Sequence, residues 1–267
     1  MIFTLTIMGT ASAMPISDRN PSAQMLAVHG RLFLLDCGEG TQQQMRRAHL
    51  AFLKVEAIFI SHIHGDHLFG LFGLLNTMTM YGRTADLYIY GPRALGSVIN
   101  FYKSFFGEHE SYEIKFVPVD CREPQVVHTS KWVQVSAFPL NHKIECYGYR
   151  FDEIVTERHW QENPAYHPKS YAYCSDTAPM PQLADWVRGV DVLYHEATYP
   201  HDMADKAADR GHSTTVQAAA CARDAEAGRL LVGHYSSRIS DFDALVQECR
   251  DVFPETTAAQ DGDVFEI

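Results

Sequence analysis

The chain has 267 residues, 46% hydrophobic and 21% charged, with a formal net charge of -11. That length suits one large domain, residues 1–267, and is ample for a real core. No apolar run approaches the roughly 20 residues of a membrane span. The negative charge argues against a broad basic face for nucleic acid, although Arg19, Arg46, Arg47, Lys103, Lys143 and Arg238 could still form a local basic rim.

Strands open the chain. Residues 2–8 alternate apolar residues with Thr, which predicts a strand rather than a secretory signal. Residues 8–15 form a small-residue loop that could let a phosphate or sugar come close. Strands over 24–28 and 31–36 flank a His29-Gly30 turn, and 41–48 is a short helix. A strand over 57–60 precedes a helix over 68–81, apolar nearly all round and therefore buried. A strand over 87–90 closes at Gly91-Pro92, and 94–105 is a helix. Strands follow near 112–117, 132–139 and 146–151. Residues 152–169 are an irregular polar connection. Then come a strand (171–174), a short helix (181–187), a strand (190–195), a helix (214–226), a strand (230–232) and a helix (242–252). This order predicts an α/β fold, a four-layer αββα sandwich of two mixed sheets with helices outside. The six cysteines are scattered without a CxxC pair and read as reduced thiols of a cytosolic protein.

The most informative stretch is Ser61-His62-Ile63-His64-Gly65-Asp66-His67, directly after an apolar strand. Its four metal-capable side chains, without thiolates, suit hydrolytic zinc or a similar divalent ion. His62 and His64 are two apart and point the same way in an extended segment. Gly65 allows a sharp turn, after which Asp66 and His67 can face a second ion. The same pattern of an apolar strand ending in a polar residue recurs at His142, Asp176 and His234. Asp176 is short enough to bridge two ions, and the two histidines would complete one ion each. Another strand ends in His195-Glu196-Ala197-Thr198. His212 stands where a helix opens at Ser213 or Thr214. A histidine there, oriented by a carboxylate, suits proton donation to a leaving oxygen; a helix cap beside a surface histidine is the equal alternative.

These motifs resemble the metallo-β-lactamase superfamily and, more narrowly, the ribonuclease Z family of endonucleases that mature tRNA 3′ ends. The HxHxDH segment supports only the superfamily. The narrower resemblance rests on Asp36-Cys37-Gly38-Glu39-Gly40-Thr41, on Asp66-His67-Leu68-Phe69-Gly70-Leu71, on Arg19-Asn20-Pro21-Ser22, on Gly211-His212-Ser213-Thr214 and on Gly233-His234-Tyr235-Ser236-Ser237-Arg238. It implies one zinc held by His62, His64, His142 and Asp176, and a second by Asp66, His67, Asp176 and His234. Manganese or iron would also fit such ligands. It further implies Asp66 as general base, His212 supported by Glu196 as proton donor, Ser236 and Arg238 in a phosphate-contacting loop, a precursor tRNA substrate and a homodimer. One departure stands out. Family members with tRNA activity usually carry a long Gly/Pro/Lys-rich arm between the strand after the His142-type ligand and the Asp176-type ligand, whereas the interval 150–171 here is short and acidic. The expected chemistry is phosphodiester hydrolysis by a water activated between two metals. A small-molecule phosphodiesterase or esterase on the same core is the competing reading, and a catalytically silent homologue is the third.

Overall fold

A computed structural model describes residues 3–107, 111–239 and 241–267. The first half supplies β1 (Phe3–Gly9), β2 (Ala23–Val28), β3 (Arg31–Leu35), α1 (Thr41–Arg47), β4 (Val55–Phe59), α2 (Gly65–Leu68), α3 (Leu71–Met80), β5 (Leu87–Pro92), α4 (Leu95–Phe106) and β6 (Ile114–Val119). The second supplies β7 (Gln125–Thr129), β8 (Val133–Pro139), β9 (Tyr147–Glu153), α5 (Glu157–Glu162), β10 (Ser170–Cys174), α6 (Leu183–Trp186), β11 (Val192–Glu196), α7 (Ala204–Arg210), α8 (Thr215–Asp224), β12 (Leu230–Gly233), α9 (Phe242–Arg250), β13 (Thr256–Ala258) and β14 (Val264–Glu266).

Two seven-stranded sheets result, in the orders β14-β1-β2-β3-β4-β5-β6 and β13-β12-β11-β10-β9-β8-β7. Both are mixed. β3 to β6 run parallel while β1, β2 and β14 pair antiparallel; β10 to β13 run parallel while β7, β8 and β9 pair antiparallel. Alternate residues of each strand point to opposite faces, so each sheet buries two apolar surfaces. The inner faces meet in one core, where Phe33 and Phe59 pack on Tyr149 and Phe151 with ring centroids 5.1–6.1 Å apart. The outer face of the first sheet is covered by α1, α3 and α4, and that of the second by α6, α8 and α9. The four-layer sandwich expected from the element order is therefore present.

Several local expectations change. The helix expected over 68–81 breaks at Phe69-Gly70, because Gly70 passes against the loop after β3: its N–H donates to Cys37 O at 2.9 Å, and a Cβ there would lie 2.0 Å from Gly38 O. That helix is also not buried all round. Leu71, Leu74, Leu75 and Met78 face the core, whereas Phe69 and Met80 are exposed. The irregular stretch 152–169 contains the end of β9 and the helix α5, which Thr156 caps by accepting from His159 N. α7 and the short strands β7, β13 and β14 were not expected. Ile2, assigned to the first strand, lies outside the described residues. All six cysteines are free thiols, and no helix among the described residues is long and apolar enough to cross a membrane.

Candidate metal centre and active site

The loops that leave β1, β3, β4, β8, β10, β11 and β12 converge at one end of the sandwich. His62 follows β4, His142 follows β8, Asp176 follows β10 and His234 follows β12. Ligand atoms of His62, His64, His142 and Asp176 lie within 4.8 Å of one another, as do those of Asp66, His67 and His234. Asp176 stands between the two groups. Its Oδ2 is 3.6 Å from His62 Nε2 and 3.8 Å from His142 Nε2, and its Oδ1 is 3.3 Å from His234 Nε2 and 3.5 Å from His67 Nε2. All seven sequence-predicted ligands are thus brought together. Gly65 opens α2 and is covered by the Phe69 ring.

Hydrogen bonds set which nitrogen of each imidazole faces inward. His67 Nδ1 donates to Asp36 Oδ2 at 2.7 Å, and His142 Nδ1 donates to Gly211 O at 2.8 Å. His62 Nδ1 lies 2.9 Å from Ser61 Oγ, which donates to Asp36. His234 Nδ1 lies 2.9 Å from Thr198 Oγ1, which donates to Glu196. In all four rings Nδ1 is committed outward, so Nε2 is the nitrogen that faces the centre. His64 offers Nδ1 instead, 3.0 Å from His62 Nε2. His67 and His234 face each other through Nε2 at 3.2 Å. Nitrogens that face each other this closely need a proton or a cation between them. Asp176 Oδ1 is moreover buried without a hydrogen-bond partner, which is costly for a carboxylate oxygen. The donor set fits two divalent cations.

The electrostatics differ between the two groups: burial alone would lower His67, but Asp176, Asp66 and Asp36 raise it well above the usual imidazole range, so a cation there would displace a proton from the ring. Burial and then the neighbouring histidines hold His62 well below the usual imidazole range, and burial lowers His142, so both keep their lone pairs. Burial alone would raise the Asp66 carboxyl, but His67 and His234 hold it well below the usual carboxylate range. Asp66 Oδ2 also accepts from Ala13 N at 2.7 Å, which fixes the loop after β1 over the site.

His212 and Glu196 form a second unit. Glu196 is fully buried at the end of β11. It accepts from Thr177 N, Ser213 N, Thr198 N and Thr198 Oγ1 at 2.7–3.1 Å, and from His212 Nδ1 at 3.0 Å. Burial opposes the charged imidazolium of His212, yet the Glu196 carboxylate outweighs it and raises the ring to about 9. The cap expected for this stretch is present, since Thr214 caps α8 in a capping box with Gln217, but His212 beside it is no surface residue: its side chain is 13% exposed and lies 3.0 Å from the Glu196 carboxylate.

A cavity of about 1000 Å³ opens over the centre, lined by the loop 12–15, His212, Ser236 and Arg238 among others. Of the expected basic rim, Lys143 and Arg238 line it. The others do not. Arg19 is buried beneath Tyr235 and Phe242. Arg46 turns to Tyr81, Arg47 to Gln44 and Lys103 to Ile114 O. Lys206 and Arg210, from the unexpected α7, join the lining instead. Asp36 is the principal site residue given no role in the sequence reading. Its backbone is left-handed, φ +53°, and its carboxylate collects Ser61, His67 and Tyr173 at 2.7–2.8 Å. The signal for it was an acidic residue closing a buried strand, directly before Cys37-Gly38.

Comparison with known proteins places this geometry. Residues 31–235 match the Beta-lactamase superfamily domain. The chain is 37% identical to ribonuclease Z of Parabacteroides distasonis over 97% of each chain, and 35% identical to that of Cytophaga hutchinsonii over 100% of this chain and 97% of the relative. The crystal structure of human tRNase Z, short form, superposes with a TM-score of 0.81 at 28% identity, covering 98% of each chain. The alignment with the Parabacteroides protein spans 296 positions against 267 residues here, so that relative carries at least 29 residues that this chain lacks. The chain belongs to the ribonuclease Z family of the beta-lactamase superfamily.

Proposed function

We propose that the chain is a binuclear-metal endoribonuclease that cleaves precursor tRNA at its 3′ side, with residues 1–267 acting as one hydrolase domain in the cytoplasm. The observation that carries this reading is the pair of ligand groups sharing Asp176, with the His212–Glu196 pair beside them. His62, His64, His142 and Asp176 would hold one ion, and Asp66, His67, Asp176 and His234 the other. Zinc suits these nitrogen-rich, thiolate-free sets best, with manganese or iron as alternatives. The ions would supply Lewis acidity, giving a water that ionises near neutral pH and neutralising phosphoryl charge.

The remaining steps belong to side chains. Asp66, held ionised and oriented by Ala13 N, accepts the proton of the attacking water. Arg238 and Ser236, on the loop after β12, contact the phosphoryl oxygens. His212 has Nδ1 committed to Glu196, which leaves Nε2 to protonate the departing 3′ oxygen. The products are a 3′-hydroxyl and a 5′-phosphate. Cleavage of end-labelled precursor tRNA just after the discriminator base tests the reading. Turnover of bis(p-nitrophenyl) phosphate without tRNA cleavage would replace it with a small-diester hydrolase, which the charge of -11 and the short 150–171 interval favour.

The reading includes a homodimer. α4 exposes Phe101, Phe105 and Phe106, at 52, 68 and 58%, and Phe101 stacks on Phe72 of α3. A contiguous aromatic face of this kind marks an association surface. Light scattering of wild-type and Phe105→Glu protein tests it: a dimer that the substitution splits is expected, and a wild-type monomer refutes it.

A further inference from the structure

We infer that α7 grips RNA, with Lys206 and Arg210 holding backbone phosphates of the nucleotides just upstream of the cleaved bond. The inference deepens the endonuclease reading and rests on it for which side of the bond is held.

Lys206 and Arg210 are four apart on a helix and so share one face. That face lines the cavity over the metal centre. Two contacts fix it there. Lys206 Nζ lies over the Tyr199 ring at 5.2 Å, and that ring meets His212 edge-on at 6.1 Å. At the other end, α7 closes at Gly211 in a left-handed cap, φ +75°. The Gly211 carbonyl accepts a hydrogen bond from His142 Nδ1, and the next residue is His212. The helix is therefore registered to a ligand and to the proton donor together. Phosphates on its face belong to the strand that carries the leaving 3′ oxygen.

Charge supports the choice. The chain's net charge is -11, yet the cations around this cavity are largely free of carboxylate partners. Among the described residues Lys143, Lys206 and Arg238 have none, and Arg210 has only its neighbour Asp209 at 3.7 Å. All four line this one cavity. In the 150–171 interval, Arg150 pairs with Asp152 and Arg158 with Glu162, which leaves Lys169 as its cation without a carboxylate partner among the described residues. A grip confined to nucleotides next to the bond needs no contact with the tRNA body.

The test uses the metal-loaded enzyme and a short single-stranded RNA ending in a 3′-hydroxyl as inhibitor of bis(p-nitrophenyl) phosphate turnover. Lys206→Ala/Arg210→Ala should raise its Ki about tenfold and lower the slope of log Ki against log salt by about 1.4, from two lost single-strand phosphate contacts. Arg150→Ala/Arg158→Ala should change neither. In parallel, a precursor reduced to acceptor stem and trailer should keep kcat/KM within about tenfold of the full precursor. An unchanged Ki and slope in the α7 variant overturn the inference, as does a collapse of cleavage on removing the tRNA body. If the wild type turns over no diester, the endonuclease reading falls by itself, and the same RNA's Kd by fluorescence anisotropy, wild type against α7 variant, still decides the grip.

Discussion

Asp36 is the point at which the metal centre is most exposed to a single atom's chemistry. Its Oδ1 accepts from Ser61 N, and its Oδ2 from Ser61 Oγ, His67 Nδ1 and Tyr173 OH. Asp36→Asn keeps the size and tolerates the left-handed backbone at φ +53°, but replaces one acceptor by an NH₂ donor. The two hydroxyls can rotate to accept from it; Ser61 N–H and, as long as it stays protonated, His67 Nδ1–H cannot. If NH₂ faces Ser61 N–H, a buried donor is left unpaired at about 1–3 kcal/mol. If it faces His67, the ring can escape only by moving its proton to Nε2, the nitrogen turned toward Asp66, Asp176 and His234. That tautomer cannot ligate a cation. The expected result is a folded protein whose Tm falls by about 2–10 °C and whose second ion binds about 10–100-fold more weakly. Asp36→Ala, which strips all four acceptor bonds in the core, should cost about 3–5 kcal/mol. Metal titration followed by mass spectrometry reads the effect. Two ions per Asp36→Asn chain at wild-type affinity, with undiminished cleavage, would refute the tautomer argument.

Other outcomes follow from the same contacts. Asp176→Ala removes the carboxylate shared by both groups, so both ions should weaken and turnover should fall more than about 100-fold; full metal content with full turnover would sink the bridging role. Gly70→Ala places a methyl 2.0 Å from the Gly38 carbonyl oxygen and should cost about 3 kcal/mol in urea unfolding. Thr214→Ala deletes the α8 capping box, a loss of about 1 kcal/mol. Burial raises Asp261 above 3.8 despite the hydrogen bonds from Asn20 and Thr10. A folded value above the unfolded one means that the fold retains this proton, so the contribution is present at acid pH and lost as pH rises through the folded value. The stability of wild type relative to Asp261→Asn should therefore decline from pH 3.8 upward, and a difference flat with pH would contradict it.

The sandwich and the ligands were legible because both are written locally. β4 is an apolar run closed by ligand-bearing residues, and the same punctuation recurs after β8, β10 and β12. What stayed hidden depends on distant partners. α7 is Ala204-Asp205-Lys206-Ala207-Ala208-Asp209-Arg210, with only Ala207 buried, so it carries no apolar stripe to announce a helix. β13 and β14 are three residues each and exist by pairing with β12 and β1. The break after α2 is imposed by the Gly38 loop, not by local propensity. Arg19 looked like a rim cation, but its guanidinium packs beneath aromatic rings. Asp36 could be read as an acid at a strand end, but its role needs Ser61 and Tyr173, which only the folded sheets bring to it.

The central claim is that this centre cuts RNA. The most direct measurement incubates zinc-loaded protein with an end-labelled precursor tRNA and maps the ends. The account predicts a single cut after the discriminator base, leaving a 3′-hydroxyl on the tRNA and a 5′-phosphate on the trailer. An intact precursor, under conditions where bis(p-nitrophenyl) phosphate is hydrolysed, would contradict it.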